Sequence, residues 1–217
     1  MKDQFEARRE RMVEWERRSG EIHDPRVLDA MAAVPRERFV PEALREQAYA
    51  ERALPIGSGQ TISQPLVVAI MTAALEVAPG DRVLEVGTGS GYQAAVLRRL
   101  GAEVVTVERI PELAERARRT LEELGIDGVE VHCGDGSLGW PDGAPYDGIV
   151  VTAGGPRVPE PLLAQLADGG RLVMPVGPRG DERLLRVRKH GATTTREDLG
   201  PVAFVPLVGA EGWSTPS

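Results

Sequence analysis

The sequence predicts an α/β fold: a doubly wound, mostly parallel sheet preceded by an N-terminal helical extension. Three observations predict it. From about residue 79 onward, apolar β-branched runs alternate with amphipathic helical stretches, the pattern of successive βαβ crossovers. The turn between the first such strand and helix, in VLEVGTGSGY at 83–92, carries glycine at three alternate positions. The first fifty residues show helical periodicity and proline breaks but no strand pattern.

Residues 5–18 form a charged helix with Phe5, Met12 and Val13 near one face and Trp15 as a docking anchor, the remaining charges reading as a solvated surface. Asp24 and Pro25 are an N-cap and first helical residue, opening a helix that turns Val27, Leu28 and Met31 inward until Pro35 stops it. Pro41 opens a further short helix to Gln47. The stretch ALPIGSGQTISQ at 53–64 has Pro55, Gly57 and Gly59 where neither a good helix nor a central strand can run, so it is expected to be a loop. A helix over 65–76 follows, with Leu66, Val67, Ile70, Met71 and Leu75 apolar and Ser63 as its natural N-cap.

Ala78-Pro79-Gly80-Asp81 then feeds the central strand, where Val83, Leu84 and Val86 suit burial in a parallel sheet. In the helix beyond the glycines, Ala94, Ala95, Val96, Leu97 and Leu100 share a face. EVVTVE at 103–108 is the second strand of the core, 111–124 a helix stopped by Gly125, and 129–133 the third strand. Residues 146–152 make the fourth strand and 159–166 a helix; Asp168-Gly169-Gly170 turns into a fifth strand at 171–176. Arginines alternate with Leu184, Leu185 and Val187 in a half-exposed strand at 183–189, and 201–208 supplies the last one, giving an antiparallel pair near the end.

Composition narrows the function. Lys and Arg number 26 against 33 Asp and Glu, a formal charge of −7, with the basic residues scattered or paired with acids. A nucleic-acid partner is therefore not expected, because reading phosphates takes a basic patch. Cys133 is the one cysteine and the three histidines, His23, His132 and His190, are isolated in sequence, so neither an internal disulfide nor a metal site is expected; Cys133 reads as a small buried residue. MKDQFEARRE carries no apolar signal core and no run approaches a membrane span, so a cytoplasmic protein without membrane attachment is expected, working as a monomer.

The glycine turn carries the chemistry. Its spacing, Gly87, Gly89 and Gly91 after Glu85, departs from the G-x-G-x-x-G of dinucleotide folds, and there is no Gly-Lys-Ser/Thr ending for a phosphate. Glycines without Cβ admit a ligand to the backbone and to the free N–H groups of a helix start. The next strand ends in Glu108, an acid able to accept both hydroxyls of a ribose, and Asp135-Gly136 follows the third strand as a loop over an adenine would. A nucleoside without phosphate is the implied ligand.

Acid, glycine turn, acid and third acid in this order resemble the S-adenosylmethionine-dependent methyltransferases with a Rossmann-like sheet. That resemblance places Glu85, Gly87, Thr88, Gly89, Ser90 and Gly91 around the methionine part of the cofactor, Glu108 with Arg109 at the ribose, and Asp135 with Gly136 at the adenine. The Pro-Cys nucleophile of pyrimidine C5 methyltransferases is absent, since His132 precedes Cys133, and the fourth strand runs into VVTAGG rather than into the motif of enzymes that methylate base amino groups.

More specifically, GQTISQP at 59–65, VPRERFVP at 34–41, VLEVGTGSGYQAAVL at 83–97 and FVPLVG at 204–209 are similar, in collinear order, to the protein-L-isoaspartate O-methyltransferases. The resemblance covers about 21–210, and GQTISQP is its most specific part. It implies that Ser63 is the active-site serine, a role compatible with capping. It also implies that Thr61, Ile62, Gln64, Val205, Pro206 and Leu207 border a peptide, and that the acceptor is the free carboxylate of isoaspartyl residues in damaged proteins and peptides. The implied organisation is one methyltransferase domain, with 1–78 as helical extension and substrate loop and 79–217 as cofactor-binding core. Two rival readings stay open at this point: a methyltransferase acting on another carboxylate, and a non-catalytic module that binds the cofactor.

Overall fold

The computed structural model describes residues 4–214. The extension comprises α1 (Gln4–Ser19), α2 (Pro25–Ala33) and two 3-10 turns, Arg36–Phe39 and Glu42–Gln47. As expected, Asp24 caps α2, its side chain accepting from the Arg26 N–H, and the helix buries Val27, Leu28 and Met31.

Residues 53–64 are more ordered than a loop: β1 (Leu54–Gly57) and β2 (Gln60–Ile62) pair antiparallel as a small separate hairpin. Pro55 does not forbid it, because an edge strand can tolerate a missing donor. In α3 (Pro65–Leu75), Gln64 rather than Ser63 occupies the cap position, and it makes no side-chain cap bond. The Leu66 N–H instead faces the Glu51 carboxylate at 3.4 Å, so Ser63 is not tied up in capping.

The core follows as β3 (Arg82–Val86), α4 (Tyr92–Arg99), β4 (Glu103–Glu108), α5 (Pro111–Glu123), β5 (Val129–Cys133), β6 (Tyr146–Val151), α6 (Glu160–Gln165), β7 (Leu166–Val176), β8 (Glu182–His190) and β9 (Thr193–Val202). The seven strands lie in the order β5-β4-β3-β6-β7-β8-β9. The first five are parallel, and β8 and β9 run antiparallel. The chain leaves β3 toward β4 and β5 on one side and returns to β6 on the other, so a crevice opens at the carboxyl ends of β3 and β6, where such sheets take ligands. Alternate residues of β3 point to opposite faces: Val83 joins the core under α3 and α4, while Leu84 and Val86 join the core shared with α6.

The largest departure from sequence is at the end. The last strand runs over 193–202 rather than 201–208, because TTTRED pairs with β8 through backbone bonds while its side chains stay exposed and give no apolar period. Ion pairs hold it instead, Arg183 with Asp198 at 2.9 Å and Arg186 with Glu197. Beyond it, Pro206 and Val208 make only isolated bridges, to Gly154 and Trp213. β7 begins at Leu166, so Asp168-Gly169-Gly170 lies inside a strand whose register to β6 is irregular. Cys133 is exposed, since β5 is the sheet's edge. Among the described residues no helix is long and apolar enough to cross a membrane, and no cluster of three potential metal ligands occurs.

In α1 the sequence expectation also fails at one turn. Met12 and Val13 are buried, but Trp15 is 48% exposed, and the residue turned inward beside them is Glu16, at 0%. Both Glu16 carboxylate oxygens lack a hydrogen-bond partner, and burial pushes the carboxyl up to about 8, with Glu51 adding to the rise and Arg36 opposing it. A raised carboxyl pKa costs stability as pH rises: the unfolded chain ionises from the ordinary value upward, while the folded chain keeps its proton until about 8. Glu16→Gln should therefore match the wild type at about pH 4 and gain on the order of 2 to 4 kcal/mol at about pH 8.5, read by urea unfolding. An equal gain at both pH values would contradict the buried-acid account.

Candidate active site

The turn after β3 is shaped by contacts that leave no room for side chains. Gly87 has φ +97, and a Cβ there would lie 2.5 Å from the Thr152 hydroxyl oxygen. That hydroxyl donates to the Gly87 carbonyl at 2.6 Å, and the Thr152 N–H donates to the Val86 carbonyl at 2.9 Å, so the end of β6 is stitched to the end of β3. On the other side the Gly87 N–H donates to the Val107 carbonyl at 2.8 Å.

The acids of the sequence pattern have three different environments. Glu85 is completely buried, and burial pushes its carboxyl up to about 8, a rise that the Thr106 hydrogen bond opposes and Glu108 reinforces. Its Oε2 accepts from the Thr106 hydroxyl at 2.6 Å; with that proton committed, the 2.6 Å contact between Thr106 and Thr88 is a bond donated by Thr88. Glu108 spans two main-chain donors, Gly89 N–H and Ile110 N–H, each at 2.9 Å. Each carboxylate oxygen keeps further acceptor capacity on the cleft wall.

Asp135 is engaged on both oxygens. One accepts from the Ser137 N–H at 3.0 Å and hydroxyl at 2.7 Å, the other from the Ala210 N–H at 2.7 Å. Burial pushes its carboxyl up, but these hydrogen bonds and the Arg109 charge outweigh it and leave the group below its ordinary value.

Three depressions meet over this frame. An outer cleft is bordered by Gly87, Gly89, Glu108, Arg109 and Gly136 on one wall and by Val205, Pro206 and Leu207 on the other. An inner cleft runs between Ile62, Ser63 and the segment Glu85, Gly87, Thr88, Gly89, Ser90. A groove beside them is lined by Ser63, Gln64 and Val67 against Pro201, Phe204 and Val205. Thr61 and Thr152 border all three. Main-chain bonds of 2.8 Å between Gly154 and both Val205 and Leu207 fix the 205–207 wall.

The structure therefore brings together nearly all the residues singled out from sequence. Gly91 and Asp135 stand behind the wall: Gly91 takes φ +89 at the start of α4, where a Cβ would press on Ala117 at 3.3 Å, and Asp135 anchors the chain at Ala210. Sequence reasoning missed Thr152, Gln93 and Arg36. Thr152 had a signal, being the polar residue that ends the strand across the crevice. Gln93 falls on the buried face of α4, donates to the Thr72 hydroxyl at 2.8 Å and has its carbonyl oxygen buried without a partner.

Glu85 Oε1 is likewise buried and unpartnered. Two orphaned acceptors on one inner cleft suit a ligand end rich in N–H donors, as the amino-acid ammonium of S-adenosylmethionine is, and the glycine backbone leaves space for its approach. The acceptor set thus fits the cofactor that the sequence implies.

Known proteins agree with this geometry. Residues 7–212 match the family model described as protein-L-isoaspartate(D-aspartate) O-methyltransferase. The chain is 54% identical over 211 residues to a protein-L-isoaspartate O-methyltransferase of Methanoculleus marisnigri, covering 97% of this chain and 96% of the relative. It is 59% identical over 210 residues to protein-L-isoaspartate O-methyltransferase 2 of Pelobacter propionicus, covering 96% and 93%. A solved protein-L-isoaspartate O-methyltransferase superposes with a TM-score of 0.85 at 31% identity, over 94% of this chain and 67% of that one. A Plasmodium falciparum protein solved with S-adenosyl-L-homocysteine shares the fold, at a TM-score of 0.80 and 23% identity over 95% of this chain and 99% of that one. The sheet is the Rossmann-like methyltransferase sheet, and the chain belongs to the protein-L-isoaspartate O-methyltransferase family.

Proposed function

We propose that the protein transfers a methyl group from S-adenosyl-L-methionine to the free carboxylate of L-isoaspartyl residues in damaged proteins and peptides, the first step of repair through a succinimide. Family membership supports this reading over another carboxylate acceptor or a silent binding module. The observation that carries it is the junction of clefts at Thr61, Ser63 and Thr152, where a carboxylate in the groove comes up against the inner end of the cofactor cleft.

Glu85, Gly87, Thr88, Gly89, Ser90 and Gly91 form and support the methionine end of the site. Glu108 with Arg109 is assigned to the ribose, and Gly136 to the adenine, with Asp135 holding that loop in place. Thr61, Ile62, Gln64 and the wall of Val205, Pro206 and Leu207 border the peptide. The cofactor supplies a methyl already activated on a sulfonium.

An isoaspartyl carboxylate has a pKa of about 4 and is ionised at neutral pH, so the protein needs no general base. Its work is to hold the carboxylate in line and keep water out. Ser63, free of capping duty, is the donor assigned to that carboxylate. The chain is read as one functional unit, 1–78 supplying the extension and substrate loop and 79–217 the cofactor core. It is read as a cytoplasmic monomer without a nucleic-acid partner, consistent with the formal charge of −7.

Two experiments test this. Paired synthetic peptides that differ only in L-isoaspartate or L-aspartate share composition and charge, so preference between them is geometric. Radiolabelled methyl ester, assayed at mildly acidic pH, should form on the isoaspartyl peptide alone. Ser63→Ala should slow that labelling by about 5- to 150-fold, the equivalent of about 1 to 3 kcal/mol, with cofactor affinity unchanged. Equal labelling of both peptides would end the isoaspartyl assignment.

Glu108→Ala should weaken cofactor binding about tenfold or more by calorimetry. It should also lose the wild type's discrimination against an analogue lacking the ribose hydroxyls. A variant that still discriminates as the wild type does would move the ribose elsewhere.

A further inference from the structure

Arg36 is among the largest fully buried side chains of the described residues, at 0% exposure. Its Nε donates to the Ala48 carbonyl at 2.7 Å and its Nη2 to the Ser63 carbonyl at 2.6 Å. The guanidinium carbon sits 4.8 Å from the ring centroid of Tyr92, the first residue of α4 and the one directly after Gly91. Phe39, at the other end of the same 3-10 turn, meets the Tyr92 ring edge-on at 5.5 Å. One turn of the N-terminal extension thus grips the start of the cofactor helix with a ring and a cation, and reaches the active-site loop with the same cation.

Stability does not account for this arrangement. Among the described residues no carboxylate stands within ion-pair distance of Arg36, and its Nη1 and the Tyr92 hydroxyl have no hydrogen-bond partner. The acids that face it, Glu16 and Glu51, are themselves pushed toward the neutral form by burial. A guanidinium stays charged at any working pH, and burying it without an ionised partner is costly; an apolar side chain of similar volume is often no worse for stability. What such a replacement cannot do is hold two carbonyls from a planar fork while stacking on an aromatic face.

We infer that Arg36 is a positioning residue for methyl transfer, fixing the main chain of the Ser63 loop against the cofactor turn through its bond to the Ser63 carbonyl and its stack on Tyr92. Holding that carbonyl sets the direction in which the Ser63 side chain leaves the backbone. Glu51 steadies the same loop from its other end, with its carboxylate 3.4 Å from both the Gln64 side-chain amide and the Leu66 N–H. The N-terminal extension is then the back wall of the active site. The inference rests on the role assigned above to the Ser63 loop.

The test compares Arg36→Lys with Ser63→Ala. Lysine keeps the charge but is a point donor that cannot span both carbonyls. At saturating cofactor and isoaspartyl peptide, Arg36→Lys should lower kcat by about 10- to 100-fold per folded molecule, with the S-adenosylmethionine dissociation constant within about threefold of wild type. Amide hydrogen exchange over residues 61–66 should quicken while β3 and β4 amides keep their protection. A kcat within about twofold of wild type, or a loss matched by an equal loss of cofactor affinity, would overturn the inference.

A slow Arg36→Lys beside a fully active Ser63→Ala would refute the serine's role and leave the positioning inference standing; the reverse pattern would do the opposite. Should the lysine variant fail to fold, Arg36→Met combined with Glu51→Gln removes the charge together with a facing acid, and the same loss of kcat is expected.

Discussion

The carboxylate of Glu108 holds Gly89 N–H and Ile110 N–H at once, each at 2.9 Å, and the site takes its form from that bracket. It ties the glycine turn after β3 to the loop after β4, so the two loops that line the outer cleft cannot drift apart. The sheet register makes the bracket possible. Val86 lies level with Val107 on one side and Val151 on the other, so three strands end together. Thr152, one residue beyond, closes the third side by donating to the Gly87 carbonyl. A ligand at this crevice meets main-chain groups already fixed by the fold, which is what a reaction governed by alignment requires.

The acids that read alike in sequence divide their labour once the surroundings are visible. Glu85 is pushed toward the neutral form by burial, and it borders the inner cleft with one carboxyl oxygen buried and unpartnered. Glu108 braces two loops while bordering the outer cleft. Asp135 is spent on Ser137 and on the Ala210 amide, which latches the C-terminal segment behind the wall of Val205, Pro206 and Leu207. The covering wall of the outer cleft is thereby anchored to the loop that also contributes Gly136.

The parallel core was legible because its signals are local and strong. β-Branched runs bounded by glycine or proline gave β4 and β5 to the residue, and Asp24-Pro25 marked the start of α2. What was not legible depends on partners distant in sequence. β9 has no apolar period because its side chains are solvated, and only pairing with β8 makes it a strand. The 54–62 hairpin is hidden by its proline and glycines.

Within the site, the residues that touch the clefts carried recognisable spacing, while those that hold them from behind did not. Arg36 sits in VPRERFVP among other charged residues, and nothing in that pattern tells that it and Glu37 turn inward while Arg38 stays exposed. Glu16 and Trp15 were exchanged for the same reason: helical spacing alone left their facing ambiguous, and the apolar side chain looked the better anchor. The most direct measurement of the whole account is a crystal structure of the protein with S-adenosyl-L-homocysteine and an isoaspartyl peptide bound together. The homocysteine end should lie beside Glu85 and Gln93, and the free α-carboxylate of the isoaspartyl residue at the junction of Thr61, Ser63 and Thr152. A peptide seated elsewhere, or a carboxylate turned away from that junction, would contradict it.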